Sequence, residues 1–177
     1  EGGWLREPAS PDDPYWVIDP LDGSYNFMRG IPLCAVSIAL CQGMTPLAGA
    51  VYDFVRDELV HTNETAGLYR NGERIDRAAL GGPSSLSTGI PAATRSNAEA
   101  AAKNAESLNA WGKVRMIGSA ALSLSWVAQG KLDGYKETGI RWWDVAGGLA
   151  LVRASGGNFT VANDDIWSPL EVSANGR

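Results

Sequence analysis

The sequence contains very little histidine and cysteine. Among its 177 residues are one histidine, His61, and two cysteines, Cys34 and Cys41. A single histidine excludes a multi-histidine metal site and argues against a Ser-His-Asp triad. Both cysteines lie in one apolar segment, so we predict two buried free thiols rather than a disulfide. Free thiols are typical of a reducing compartment, and a cytoplasmic location is expected.

Two further features are missing, an excess of positive charge and a long apolar run. The formal net charge is −5, so nothing indicates a surface for polyanions, and no nucleic-acid partner is predicted. No segment approaches the roughly 18 apolar residues of a membrane span, so no membrane partner is predicted either. What the sequence does have is 45% hydrophobic residues, enough to bury the core of one compact domain.

The pattern of apolar residues changes near the middle of the chain. Short apolar runs predict antiparallel strands over 15–18, 32–41, 47–54 and 58–62, then a hairpin turning at Asn71-Gly72. From about residue 82 the patterns alternate. The predicted helices are 96–108, 118–130 and 144–157, and the predicted strands are 86–90, 113–117, 132–136 and 157–161. Ser96 and Glu99 suggest a capping box for the first helix. The predicted class is layered α/β or α+β.

Residues 17–24, V-I-D-P-L-D-G-S, carry two carboxylates, Asp19 and Asp22, just after a predicted strand. The proline between them limits the shapes of the loop, so the two carboxylates can converge. Close carboxylates repel unless a cation lies between them, and oxygen ligands favour Mg²⁺ or Ca²⁺. Gly23-Ser24 would then offer backbone N–H groups to a phosphate. The same letters are also typical of an ordinary turn, so both interpretations stay open at this point.

A third carboxylate, Asp144, lies in residues 141–148, R-W-W-D-V-A-G-G, at the start of an apolar helix. Aspartate favours helix N-caps, so Asp144 by itself indicates either a cap or a ligand. Glu137 lies seven residues earlier, and by itself it indicates a solvated charge at the end of a strand.

Taken together, these segments resemble the signatures of a known family. V-I-D-P-L-D-G-S-Y-N-F is similar to the first signature of the inositol monophosphatase family, D-P-[IL]-D-G-T-x-N-F. W-D-V-A-G-G-L-A-L-V-R-A-S-G-G resembles the second signature, and M-I-G-S-A-A-L-S-L-S-W-V-A-Q-G resembles the helix between them. The resemblance runs from Tyr15 to about Arg177, and it favours a metal-dependent phosphatase over a turn and a cap.

The resemblance implies a cofactor and a catalytic set. Two to three Mg²⁺ ions are expected: Asp19 would bridge two of them, the Leu21 carbonyl would ligate the first, and Asp22 and Asp144 the second. Ser24 stands where the family usually has threonine, and its hydroxyl would help to orient the attacking water. The expected catalytic residues are therefore Asp19, Asp22, Ser24 and Asp144.

The resemblance also implies a substrate pocket. The expected substrate-binding residues are Gly23, Ser24, Gly118, Ser119, Ala120, Glu137 and Asp144. Gly23 and Ser24 would hold the phosphate through backbone N–H groups, and Glu137 would bind sugar hydroxyls. The expected activity is Mg²⁺-dependent hydrolysis of inositol monophosphate or a related small sugar phosphate. Fructose-1,6-bisphosphatase or 3′-phosphoadenosine phosphatase activity stays open, as does a regulatory protein that keeps the fold without turnover.

The implied fold is the layered sandwich of the inositol monophosphatase and fructose-1,6-bisphosphatase type. Residues 1–177 would form one catalytic domain and a homodimer, with an antiparallel region at about 15–80 and an α/β region at about 82–177. The family's N-terminal helices are expected to be missing, and the last helix to be slightly shortened. The family also has a metal-binding glutamate before the first signature. Glu1 is the only candidate in the sequence, because Glu7 lies in the wrong setting. Glu1-Gly2 resembles the second glutamate of the family's pair, however, so the ligand would be the residue just before Glu1.

Overall fold

The computed structural model describes residues 8, 10, 12–62, 67–79, 81–91, 94, 96–163 and 165–176. Glu1 and Glu7 lie outside the described residues, so the expected metal-binding glutamate has no position here. Within the described part of the chain, no helix has both the length and the apolar character needed to cross a membrane.

The first half of the chain folds into a six-stranded antiparallel sheet whose strands follow one another in sequence order. Its strands are β1 (Tyr15–Asp22), β2 (Ala35–Gln42), β3 (Thr45–Asp53), β4 (Glu58–Thr62), β5 (Leu68–Arg70) and β6 (Glu73–Ile75). Burial alternates along β2, which is typical of a sheet covered on one face. The hairpin between β5 and β6 turns at Asn71 and Gly72, whose φ angles of 50° and 84° fit a type I′ turn.

The second half forms a mixed sheet with the strand order β10-β11-β9-β7-β8. Its strands are β7 (Ser85–Thr88), β8 (Lys113–Arg115), β9 (Gly134–Ile140), β10 (Asn158–Ala162) and β11 (Leu170–Asn175). Strand β7 pairs in parallel with β8 and β9, whereas β11 pairs antiparallel with β9 and β10. The sequence prediction missed β11, and it placed β9 too early, because its C-terminal half, E-T-G-I, has little strand character.

The helices are α1 (Ser24–Met28), α2 (Ala98–Leu108), α3 (Ala120–Gln129) and α4 (Trp142–Ala154). The predicted capping box of α2 is wrong. Asn97 is the N-cap, and its side chain accepts hydrogen bonds from the backbone N–H groups of Glu99 and Ala100. The cap therefore lies one residue later than predicted, so Ala100 rather than Glu99 occupies the N3 position that a capping box requires.

Helices α3 and α4 pack against each other and contact strands of both sheets, so they form a central layer. Nine of the ten residues of α3 are buried, because the helix is covered all round rather than on one face. Cys34 and Cys41 are both buried and free, as predicted. The predicted layered α+β class is confirmed.

Gly147 of α4 marks the closest approach of this layer to the first sheet. A Cβ at this position would lie 3.0 Å from the carbonyl oxygen of Ile38 and closer still to Ser37 Oγ. Although alanine favours helices, we expect Gly147→Ala to lower the free energy of unfolding by about 1–3 kcal/mol, because the helix must move away from the sheet. Urea denaturation measures this change. Gly81→Ala is the control, since nothing lies within 4 Å of its Cβ position, and equal stabilities for the two variants would contradict the close approach.

Candidate metal centre and substrate cavity

An irregularity in β1 brings Asp19 and Asp22 to the same side of the chain. In a regular strand, residues three apart face opposite sides. Here the pairing of β1 with β2 shifts between Asp19 and Asp22, and the two residues are only 8% and 7% exposed. Pro20 falls inside this shift, and β1 is an edge strand, where a missing N–H donor is tolerated. The aspartates therefore lie on a bulged strand, which corrects the predicted loop after Ile18.

The third carboxylate comes from the start of α4. Asp144 is the third residue of the helix rather than its N-cap, which corrects the interpretation of Asp144 as a simple cap. Its Oδ2 accepts a hydrogen bond from the backbone N–H of Arg141 at 2.9 Å. This bond fixes the carboxyl group at the helix N-terminus, where a negative charge is favourable.

Asp19, Asp22 and Asp144 converge on one point. One carboxylate oxygen of each lies within 4.8 Å of those of the other two. Burial raises the pKa of Asp22 to about 6. Burial, followed by the nearby charges of Asp22 and Asp19, raises the pKa of Asp144 to about 7, and burial also raises the pKa of Asp19. Such a cluster of acids is unfavourable when all three are ionised, and it becomes favourable around a cation.

The cluster lies in the wall of a polar cavity of about 660 Å³. The cavity brings together all the predicted site residues: Asp19, Leu21, Asp22, Gly23, Ser24, Gly118, Ser119, Ala120, Glu137 and Asp144. Among the described residues its walls contain no lysine or arginine, so no side-chain cation neutralises the acids. An oxygen-ligated metal ion fits this donor set. The structure places these residues together, while their individual roles stay predictions.

Gly23 joins β1 to α1 in a tight space. Its φ is 76°, and a Cβ would lie 2.7 Å from the Leu33 carbonyl oxygen and 3.2 Å from the Gly118 carbonyl oxygen. Both the left-handed backbone and the lack of room require glycine. No side chain caps α1, so the turn presents backbone to the cavity.

The N-terminus of α3 holds Asp22 in place. The Ser119 hydroxyl and the Ala121 backbone N–H both donate to Asp22 Oδ2, the second at 2.9 Å. The Ser119 hydroxyl also accepts from the backbone N–H of Leu122, as a helix N-cap does. Ser119, predicted only as a pocket-lining residue, thus orients a candidate metal ligand.

Asn26 is a residue of the site that the sequence prediction did not assign. Its Nδ2 donates to the carbonyl oxygens of Leu33 and Ile117 at 2.8 and 2.9 Å, and a third contact reaches Gly118 O at 3.3 Å. The side chain therefore ties α1 to the segment before α3. The signal was present in the Y-N-F end of the first signature, but two of its three partners, Ile117 and Gly118, are 91 and 92 residues away in sequence.

Comparison with known proteins agrees with this geometry. A family model described as the inositol monophosphatase family matches residues 2–175. The chain belongs to this family. The sequence resemblance and the layered fold are therefore confirmed, and an acidic cluster suited to metal fits the family.

Members of the inositol monophosphatase family with different names are similar to the chain. A protein of Xylella fastidiosa named Nus factor SuhB is 43% identical over 80% of the chain and 53% of its own length. An inositol-1-monophosphatase of Mesorhizobium japonicum is 40% identical over 80% of the chain and 54% of its own length. The solved structure of the inositol monophosphatase of Anabaena is 34% identical to the chain and superposes with a TM-score of 0.79. The match covers 92% of this chain and 69% of the Anabaena chain.

The match spans about half the length of the two curated relatives. Family membership thus establishes the fold, while relatives named as an enzyme and as a Nus factor leave the substrate and the catalytic role open.

Proposed function

We propose that the protein is a Mg²⁺-dependent phosphomonoesterase that hydrolyses inositol monophosphate or a related small sugar phosphate. The observation that carries this proposal is the convergence of Asp19, Asp22 and Asp144 in a polar cavity. Their raised pKa values and the lack of a neighbouring cationic side chain among the described residues support an ion as the missing partner.

The proposed ligands are those that the family resemblance implies, and the convergence of the three carboxylates supports them. Asp19 would be shared by two ions, the Leu21 carbonyl would hold one of them, and Asp22 and Asp144 would hold the other, with two to three ions in all. When bound, Mg²⁺ supplies Lewis-acid activation of water and neutralises the charge that develops on the phosphoryl group. A further glutamate ligand is proposed from the segment around Glu1.

The remaining cavity residues are proposed to bind the ester. The backbone N–H groups of Gly23 and Ser24 hold the phosphate, and the Ser24 hydroxyl orients the attacking water. Gly118 and Ala120 line the space for the leaving group. Glu137, which lines the same cavity, accepts hydrogen bonds from the hydroxyls of the leaving alcohol. The proposed unit is one catalytic domain, which works as a cytoplasmic homodimer.

Phosphate release by the full-length protein tests the proposal. Inositol 1-phosphate and fructose 1,6-bisphosphate are offered separately, with Mg²⁺ and with a chelator. We expect release from inositol 1-phosphate only when Mg²⁺ is present. Release from the fructose ester alone would keep the chemistry and overturn the proposed substrate, whereas no release from either would overturn the activity.

Glu137→Ala tests the substrate class separately from the chemistry. We expect the KM for inositol 1-phosphate to rise roughly tenfold, because the hydroxyls lose a charged acceptor. An aryl phosphate without hydroxyls loses nothing comparable, so its KM should change much less. Steady-state kinetics on both esters, with Glu137→Gln as the isosteric control, measures the difference. Equal losses on both esters would contradict the proposed role.

A regulatory role without turnover is the second candidate, because the Xylella relative is named a Nus factor. Such a protein keeps the acids for binding rather than for catalysis. Calorimetry would then show that the protein binds Mg²⁺ together with inositol phosphate, while no phosphate is released.

A further inference from the structure

The Glu137 carboxylate is held by a residue of its own strand. Tyr135 and Glu137 are two apart in β9, so their side chains leave the same face. The Tyr135 hydroxyl donates to Glu137 Oε2 at 2.8 Å. Tyr135 is only 1% exposed, and a buried phenol needs such a partner. Among the described residues, this is the hydrogen bond that orients the Glu137 carboxylate.

The neighbouring strand leaves room for the same carboxylate. Strand β7 pairs in parallel with β9, with Thr88 opposite Lys136, so Gly89 lies beside Glu137. A Cβ at Gly89 would be 2.5 Å from Glu137 Cδ and closer still to Oε1. The φ of Gly89 is not in the left-handed region, so its backbone conformation does not require glycine. Glycine is required here because the Glu137 carboxylate occupies the space that a Cβ would fill.

We propose that Tyr135 and Gly89 determine substrate selection by fixing the Glu137 carboxylate in the cavity. Tyr135 acts as a positioning residue, and Gly89 leaves the space that Glu137 Oε1 occupies. The proposal rests on the proposed function of Glu137 as the acceptor for leaving-group hydroxyls. It adds the residues of this chain that hold the acceptor in place.

The physical reason is preorganisation of a flexible side chain. A free glutamate loses rotamer freedom when it binds a hydroxyl, whereas a carboxylate already held at Oε2 loses less. Burial and the Glu137 charge keep the pKa of Tyr135 well above its ordinary value, so the phenol remains a donor. Burial raises the pKa of Glu137, and the Tyr135 hydrogen bond opposes this rise, which favours the ionised acceptor.

Tyr135→Phe in the full-length protein removes the hydroxyl and keeps the ring. The ratio of kcat/KM for inositol 1-phosphate to that for 4-nitrophenyl phosphate should fall roughly 3- to 10-fold. When Tyr135→Phe is added to Glu137→Ala, the ratio should stay within about twofold of its value in Glu137→Ala alone, because the group that Tyr135 positions is gone. An unaltered ratio in Tyr135→Phe, or an equal fall in both backgrounds, would overturn the proposal.

Gly89→Ala tests the gap from the other side. Gly89→Ala should lower the ratio of the two kcat/KM values at least as much as Tyr135→Phe does. In the double variant Gly89→Ala with Glu137→Ala, the ratio should be no lower than in Glu137→Ala alone. A loss that persists unchanged in the double variant would show a general packing defect and overturn the role of Gly89.

A readout independent of turnover separates this proposal from the proposed function. Carboxyl-carbon NMR of Glu137 should show a higher pKa in Tyr135→Phe than in the wild type, because the hydrogen bond to the ionised form is lost. An unchanged Glu137 pKa would overturn the positioning role. A raised pKa together with no phosphate release from either ester would support the positioning and overturn only the phosphatase function and the substrate selection built on it.

Discussion

Asp19→Asn is expected to lower Mg²⁺-dependent phosphate release by about 10³-fold or more, since a bridging ligand supplies several kcal/mol of transition-state stabilisation. Asparagine keeps the shape of the side chain, and its Oδ1 can still accept the hydrogen bond that Leu21 N–H donates at 3.0 Å. Only the charge is lost. Asp76→Asn is the matched control, because it removes an equal charge from an exposed position.

A stability measurement shows whether Asp19→Asn acts on the chemistry or on the fold. The substitution removes one of three mutually repelling acids, so the metal-free variant should unfold at the same temperature as the wild type or higher. Activity above about a tenth of the wild type would contradict the bridging role. A large fall in melting temperature would instead make Asp19 a structural residue.

The second large effect is a pH-dependent stability that Mg²⁺ alters. The pKa of Asp22 is about 6 and that of Asp144 about 7 in the folded chain, against roughly 3.9 when unfolded. The folded state therefore binds more protons between these values. In chelator, the stability that these two groups contribute is fully present below about pH 4 and is lost as the pH rises through 6 and 7.

Mg²⁺ should reverse this loss only where the carboxylates are ionised. Saturating Mg²⁺ should raise the melting temperature by roughly 5–10 °C at pH 8 and far less at pH 5, where protons occupy the ligands. Differential scanning fluorimetry with Mg²⁺ and with chelator measures both shifts, and Asp144→Asn should reduce the shift at pH 8. An equal shift at both pH values would mean that Mg²⁺ binds elsewhere.

The sequence predicted which carboxylates converge better than it predicted their backbone. Spacing and residue type alone left a turn and a helix cap open, and the resemblance to two family signatures selected Asp19, Asp22 and Asp144, whose carboxylates do converge. The bulge in β1 was missed, since a register shift is visible only in the pairing of β1 with β2. The cap of α2 was misplaced by one residue because Ser96 and Asn97 are both good caps.

The other misses have different causes. Asn26 was assigned no role because its partners Ile117 and Gly118 lie far away in sequence. Tyr135 was assigned none because its hydrogen bond to Glu137, two residues along the same strand, is recognisable only once the strand is placed beside the cavity. Strand β11 has a regular alternation of buried and exposed residues, but over six residues this pattern is too short to stand out. The sequence therefore predicted the three acidic residues and the layered fold class. The hydrogen bonds that support the site could be found only in the structure.

The most direct test of the metal centre is anomalous diffraction from crystals of the full-length protein grown with Mn²⁺ as a substitute for Mg²⁺. We predict anomalous peaks within coordination distance of the carboxylates of Asp19, Asp22 and Asp144, and their loss in Asp19→Asn. Strong peaks elsewhere, with none beside these three carboxylates, would contradict the account.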